Sequence, residues 1–245
     1  MILFMRRVLL IRAMAATVIL LALGACADSI IVSEVQPDGS LAIMGPTPRF
    51  AEDFESGRWI TSGDLGPGTL VITEKRGKRA LLIPPGDQVF TILHPVDANV
   101  LSTPYLGWSW LLEQGDGSAE YHAVSLLVGF HAPPGVGKSP SFANLPDAVY
   151  ETPANRVLGI RWAASALQRG DMSSFDDHDV PFYIVRGGRE NFGRWWHESV
   201  DLAALYTRLW PGEDLLKTHI VFVGIIVGTG RANAPAYMAD MRLFR

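Results

Sequence analysis

Apolar and polar residues alternate with period two through most of the chain beyond residue 50. This pattern predicts strands over 41–44, 50–55, 69–73, 79–83, 88–94, 105–112, 120–130, 156–163, 181–186, 193–199, 218–227 and 236–244. Clusters of Gly, Pro and Asp, such as GDLGPG and IPPGDQ, separate most of them. The run IVFVGIIVG is apolar on both faces and reads as a central, fully covered strand. One stretch changes period. In GRWWHESVDLAALYTRLWPG, residues 193–212, the first seven alternate about a strand axis; then Leu202, Leu205, Tyr206 and Leu209 recur at helical spacing. Ser199 or Asp201 supplies the N-cap, and Pro211-Gly212 stops the helix. A helix this short needs a sheet edge or the open end of a sandwich to rest on. The expected fold is all-β: a two-sheet β-sandwich of jelly-roll character (galactose-binding or concanavalin-like) over 49–245, with one short helix.

Alternation also sorts the polar residues by face. Trp195 and His197 share one face of their strand, and Arg194, Trp196 and Glu198 the other. Glu120 and His122 lie with Val124 and Leu126, while Arg161 opposes Ile160 and Trp162. Asp240 and Arg242 alternate with Tyr237, Ala239, Met241 and Leu243. If these strands are neighbours, their polar sides line one concave face. His122, Arg161, Trp195, Trp196, Glu198 and Asp240 are therefore the ligand-binding candidates.

The first 25 residues read as an address. Arg6, Arg7 and Arg12 precede an apolar stretch over 13–23, too short for a membrane span and suited to a signal peptide. Leu23-Gly24-Ala25-Cys26 then resembles a bacterial lipobox, which implies cleavage before Cys26 and acylation of that residue. Cys26 is the only cysteine, so a lipid attachment accounts for an exported thiol without a partner. Residues 26–48 read as a tether carrying the strand at 41–44. Ala27 stands where an inner-membrane retention aspartate often sits, which points to the periplasmic face of the outer membrane.

Composition narrows the partners. The chain has 245 residues, 24 Gly, 16 Pro and a net charge of −4, which suits one turn-rich domain and gives no overall basic footprint for nucleic acid. Three motifs invite chemistry. The segment APPGVGKS at 132–139 follows an apolar strand like a phosphate-binding loop, but Pro140 and Pro146 block the helix that such a loop requires. No nucleotide is expected. Asp176-Asp177-His178-Asp179 is rich in hard ligands, yet consecutive residues do not converge on one ion, and no metal or other cofactor is expected. For carboxylate-pair hydrolysis the candidates are Glu113, Glu120, Glu151, Glu190, Glu198 and Asp240. Glu198, beside aromatic residues, leads them, with Asp240 or Glu120 as its partner; the rival reading pairs Glu198 with Arg161, Arg194 or Arg242. Trp59, Trp162, Trp195, Trp196 and Trp210 include candidates for a sugar-stacking platform, and Trp108 and Trp110 share a face that suits the core.

The run PFYIVRGG, Gly193-x-Trp195, Glu198, Tyr206 and Trp210 resembles the bacterial family called domain of unknown function 3047. Trp108-Ser109-Trp110, RVLGIRWA at 156–163, the apolar strand ending near Val227 and the closing AYMADMRLF agree in order. The resemblance implies a β-sandwich-like envelope protein and supplies no activity. Val200 stands where that family has a basic residue, Leu205 where it has an acidic one, and GTGRANAP at 228–235 replaces its Asp-rich turn. The leading functional reading is a non-catalytic lipoprotein module that binds a glycan or another envelope component. Its rivals are a polysaccharide-active enzyme and a structural subunit of an envelope complex.

Overall fold

The structure is a computed structural model that describes residues 35–44, 58–66, 68–115, 121–133, 145–175, 178–228 and 234–245, with 174, 175, 178 and 179 in backbone only. The strands are β1 (Leu41–Met44), β2 (Ile60–Gly63), β3 (Val71–Lys75), β4 (Lys78–Ile83), β5 (Phe90–Asn99), β6 (Tyr105–Leu112), β7 (Tyr121–His131), β8 (Arg156–Ala163), β9 (Met172–Phe175), β10 (His178–Gly187), β11 (Trp196–Asp201), β12 (His219–Val227) and β13 (Ala236–Phe244). Two α-helical segments join them, α1 (Asp147–Tyr150) and α2 (Leu202–Leu209).

Two sheets form the sandwich. One runs β11-β6-β13-β4-β3, with β1 also paired to β13; the other runs β2-β5-β12-β7-β8-β10-β9. The chain crosses from sheet to sheet at each step from β4 to β7 and again from β10 to β13, which is the jelly-roll character. Pairing is antiparallel except between β8 and β10. The central-strand expectation holds: β12 lies between β5 and β7 and is buried on both sides.

The main core fills the space between the sheets. Leu106, Trp108, Trp110 and Leu112 of β6 meet Leu126, Val128 and Phe130 of β7 and Leu158, Ile160 and Trp162 of β8. A smaller core covers the outer face of the seven-stranded sheet. There Leu145, Ala148 and Val149, around α1, pack on Leu93, Leu127, Val157, Phe182 and Phe222. The rings of Phe222 and Phe182 lie where a Cβ on Gly129 or Gly159 would stand, so those two strand positions admit only glycine without rearrangement.

The helix forms as its pattern predicts, and Asp201 is the cap: its carboxylate accepts from the Ala204 N–H at 2.8 Å. Leu202, Leu205 and Tyr206 turn inward and close one end of the sandwich; the Tyr206 ring lies 5.0 Å from Phe130 and 4.8 Å from Trp210. Below it, Arg156 donates to Glu213, which also accepts from the Tyr206 hydroxyl. Burial, and then the Glu213 hydrogen bond, raise the Tyr206 pKa, so the phenol stays protonated as a donor.

Several boundaries differ from the pattern. Strand β5 runs on through Pro95, which pairs with Phe222 at the edge of a bulge where β5 carries one residue more than β12. Strand β11 begins at Trp196 rather than at residue 193, since 189–191 form a 3-10 turn and Gly193 sits at φ +71°. The short strands β2 and β9 and the helix α1 carry too few residues for a period to register. The predicted strand at 50–55 lies outside the described residues.

Candidate functional site

The outer face of the six-stranded sheet carries a strip of polar side chains between aromatic rings, here termed the trough, and a β-bulge in β13 builds it. Ala239 pairs with Ser109 and Arg242 with Gly107, so Asp240 and Met241 together oppose the single residue Trp108. Met241 points into the core, and Asp240 takes φ +55°. Aspartate tolerates this left-handed conformation better than most residues. The bulge corrects the expected alternation. Tyr237 and Asp240 share the outer face, while Met238, Met241 and Leu243 face inward.

Asp240 joins a connected polar group on the trough floor. Its carboxylate accepts from Lys78 at 2.5 Å and from the Ser109 hydroxyl at 3.2 Å. Ser109 also lies 3.3 Å from Lys78 Nζ and 3.4 Å from His197 Nδ1. Ser109 is buried; Asp240 and Lys78 remain 44% and 36% accessible, and His197 is exposed. Lys78 reaches this position because the β3–β4 hairpin leaves the sheet. Strand β4 pairs with β13 only from Ala236 to Met238, and β1 takes the edge beyond. The hairpin turns tightly at Arg76 and Gly77, both with positive φ. Its tip leans over the outer face, where Trp195 Nε1 donates to the Lys75 carbonyl at 3.0 Å.

Aromatic rings bound both ends. At one end Trp195 is half-buried with its ring orientation fixed by that hydrogen bond, Lys78 Nζ sits 5.6 Å from its ring centre, and Lys75 sits 4.6 Å from that of Tyr237. At the other end Tyr105 and Phe244 pair at 5.6 Å, and the Phe244 ring lies over Gly107, where a Cβ would come within 2.9 Å of it. Six residues of β6 separate the two ends, roughly 20 Å along the strand.

The other sequence candidates lie elsewhere, so they do not share one hollow. Glu198 faces the core: it pairs with Arg186 and accepts from Trp110 Nε1 at 3.3 Å. Its partner is Arg186 rather than Arg161, Arg194 or Arg242. Glu198 and Asp240 stand on opposite faces of one sheet, so they do not flank a cleft as a hydrolytic pair must. Glu120 lies outside the described residues. His122 is buried between the sheets, near Phe192 at 6.0 Å, and its Nδ1 accepts from the Val124 N–H. Arg161 is buried on the outer face of the other sheet, between the Tyr121 and Phe182 rings, and donates to Ser173. Trp196 donates to the Asn191 carbonyl, and its ring is engaged by the guanidiniums of Arg186 and Arg194 at 3.6 and 4.6 Å. Trp162 is core, stacked on Phe192 at 5.3 Å. Only Trp195 and Asp240 of the candidates belong to the trough.

Lys78, Ser109, His197 and Tyr237 are the trough residues that pattern reading missed. For Lys78 the signal was the tight-turn run KRGK, which places two lysines across a hairpin; Ser109, His197 and Tyr237 join it only through strand neighbourhood. Among the described residues no group of three or more His, Cys, Asp or Glu is placed to hold a metal ion. Cys26, the 132–139 loop beyond Pro133 and the side chains of 176–179 lie outside the described residues.

No family model and no curated protein matches the chain. Solved structures do resemble it in fold. A family 11 carbohydrate-binding module from Clostridium thermocellum aligns at TM-score 0.37 and 11% identity over 85% of this chain and 96% of its own. A family 27 module with specific mannan recognition gives 0.31 and 9% over 83% and 94%. An endoglucanase, cel12A from Rhodothermus marinus, gives 0.41 and 13% over 77% and 92%. At such scores nothing about ligand or activity follows, and what the chain has in common with them is a two-sheet β-sandwich.

Proposed function

We propose that this domain is a non-catalytic glycan-binding module and that the trough is its combining site. One observation carries the reading: a floor on which Lys78 and Asp240 neutralise each other, with Ser109 and His197 beside them, lies between two aromatic ends. Adjacent hydroxyls of a sugar ring need a donor and an acceptor side by side, which Lys78 and Asp240 supply. The apolar face of the same ring needs an aromatic plane at fixed tilt, and the Nε1 hydrogen bond of Trp195 fixes one. The bulge supports the reading further, because a residue held at positive φ beside a polar cluster is more often retained for a site than for packing.

Trp195→Ala is expected to weaken retention on an immobilised glycan panel by about tenfold or more. Trp195→Phe, which keeps a plane but loses the N–H, should fall between. Matched circular dichroism and melting temperatures separate this from unfolding. Undiminished retention by a folded Trp195→Ala protein contradicts the assignment.

The same proposal includes the setting: a bacterial envelope lipoprotein of the 3047 type, anchored through Cys26 and held at the periplasmic face of the outer membrane. The lipobox-like Leu23-Gly24-Ala25-Cys26 motivates it. Radiolabelled palmitate fed to expressing cells should enter the wild-type protein and not Cys26→Ser, with the variant moving to the soluble fraction. Equal membrane association of the two overturns the anchor.

A further inference from the structure

Two histidines face each other on the outer side of the seven-stranded sheet, away from the trough. His131 ends β7 and His219 opens β12, and they are direct partners in the antiparallel register. Their chain neighbours Phe130, Ala132 and Ile220 face the main core, so both imidazoles leave on the outer side. Directly opposed residues bring their Cβ atoms to roughly 4.5–5.5 Å. Each ring is turned by a bond at its Nδ1. His219 Nδ1 lies 2.7 Å from an Asp97 carboxylate oxygen, and Asp97 belongs to β5, on the flank of β12 away from β7. His131 Nδ1 donates to the Pro153 carbonyl at 2.8 Å. Pro153 lies in the segment leading into β8, on the flank of β7 away from β12, where the Asn155 N–H donates to the Phe130 carbonyl. Nδ1 and Nε2 occupy opposite flanks of an imidazole, so these bonds turn both Nε2 atoms toward the gap between β7 and β12. In the neutral rings both acceptors also hold the proton on Nδ1, which leaves a lone pair on each Nε2. Among the described residues neither Nε2 has a hydrogen-bond partner, and both side chains reach solvent.

From this juxtaposition we infer that His131 and His219 form a binding site for a divalent transition ion of the zinc class, with each Nε2 as a ligand and water completing the coordination. Borderline-soft cations favour neutral imidazole, whereas hard ones such as magnesium favour oxygen. A ligating histidine characteristically gives its other ring nitrogen to a carboxylate or a backbone carbonyl, and this pair uses one of each. Asp97 is thus a positioning group, and its charge offsets part of the ion's. Among the described residues no third His, Cys, Asp or Glu closes the group, so the site takes an exchangeable ion rather than a structural one. The inference is independent of the glycan-binding reading, since β7 and β12 lie in the sheet that does not carry the trough.

The test is calorimetric titration of zinc chloride, and separately of magnesium chloride, into the full chain without a histidine tag. Zinc should bind and magnesium should not. His131→Gln and His219→Gln should each lower zinc affinity by about tenfold or more, and the double variant should fall little further, because either loss breaks the chelate. Both side chains are exposed, so without zinc all three variants should keep the melting temperature of the wild type. Independent binding at each histidine, in which a single variant loses one ion and holds the other as tightly as before, overturns the inference. Zinc heats unchanged in the double variant place the ion elsewhere and overturn it as well. Absence of zinc binding by the wild type, or magnesium binding as tight as that of zinc, does the same.

Discussion

Glu198→Ala is expected to destabilise the fold by about 3 kcal/mol. Glu198 is 2% exposed and pairs with Arg186, whose side chain is 13% exposed. Removing the carboxylate leaves the guanidinium at the sandwich rim without its counter-charge and takes the acceptor from Trp110 Nε1. Loss of one member of a buried pair costs roughly 3–5 kcal/mol, and the partial exposure of Arg186 sets the value at the lower end. Exchanging both members for apolar residues, Arg186→Met with Glu198→Leu, should recover most of the loss, since the desolvation of both charges is then avoided. Denaturant unfolding of wild type, Arg186→Met, Glu198→Leu and the double variant gives the coupling directly. A Glu198→Ala protein as stable as wild type would remove the structural role and revive Glu198 as a functional acid.

The second large effect is a pH dependence from His122. Burial pushes its pKa down to about 4, against a weaker upward pull from the Glu113 backbone. In the unfolded chain the imidazole titrates near 6.5. Above pH 6.5 the ring is neutral in both states and stability is unaffected. Between 6.5 and about 4 the unfolded chain takes up a proton that the folded one refuses, so stability falls as the pH falls. The full loss amounts to about 3 kcal/mol. Unfolding free energies of wild type and His122→Gln, measured from pH 7.5 to 4, should converge toward the acid end by that amount. Parallel curves would mean that His122 titrates normally. The carboxylates that also titrate near pH 4 are common to both proteins and cancel in the difference.

Much of this architecture was written in local pattern. Alternation located most strands because each exposes one face to the main core, and the switch to helical spacing at Leu202 marked α2 with its Asp201 cap. The parity of Trp195 and His197 against Glu198 was also legible, since β11 is regular across that span. The site was less so. Alternation assigned Asp240 to the face opposite Tyr237, and only the extra residue at the bulge brings them to the same side. A bulge changes no residue type, so a period-two reading cannot register it. The aromatic–polar trough likewise depends on which strands are neighbours. Lys78 meets Asp240 across 162 positions of sequence, because the β3–β4 hairpin leaves its sheet where β1 joins. Arg161 and His122 alternate in the way their strands imply, but β7 and β8 belong to the other sheet. Neighbourhood, rather than local conformation, separated them from Asp240.

Charge tells a similar story at two scales. The chain as a whole is acidic, at −4, yet the hairpin sequence EKRGKR concentrates four cations against one acid next to Trp195. A net figure averages that away. Placement matters more for binding, because a surface charge acts over about 10 Å in ordinary salt.

Hydroxyl-radical footprinting, with and without a saturating glycan that retains the domain on the immobilised panel, addresses the trough most directly. Labelling of Trp195 and Tyr105 should drop on binding, while buried Trp108, Trp110 and Trp162 stay silent in both states. Protection confined to Tyr150 or Leu167, with Trp195 labelled equally in both samples, would move the combining site off this sheet and contradict the account.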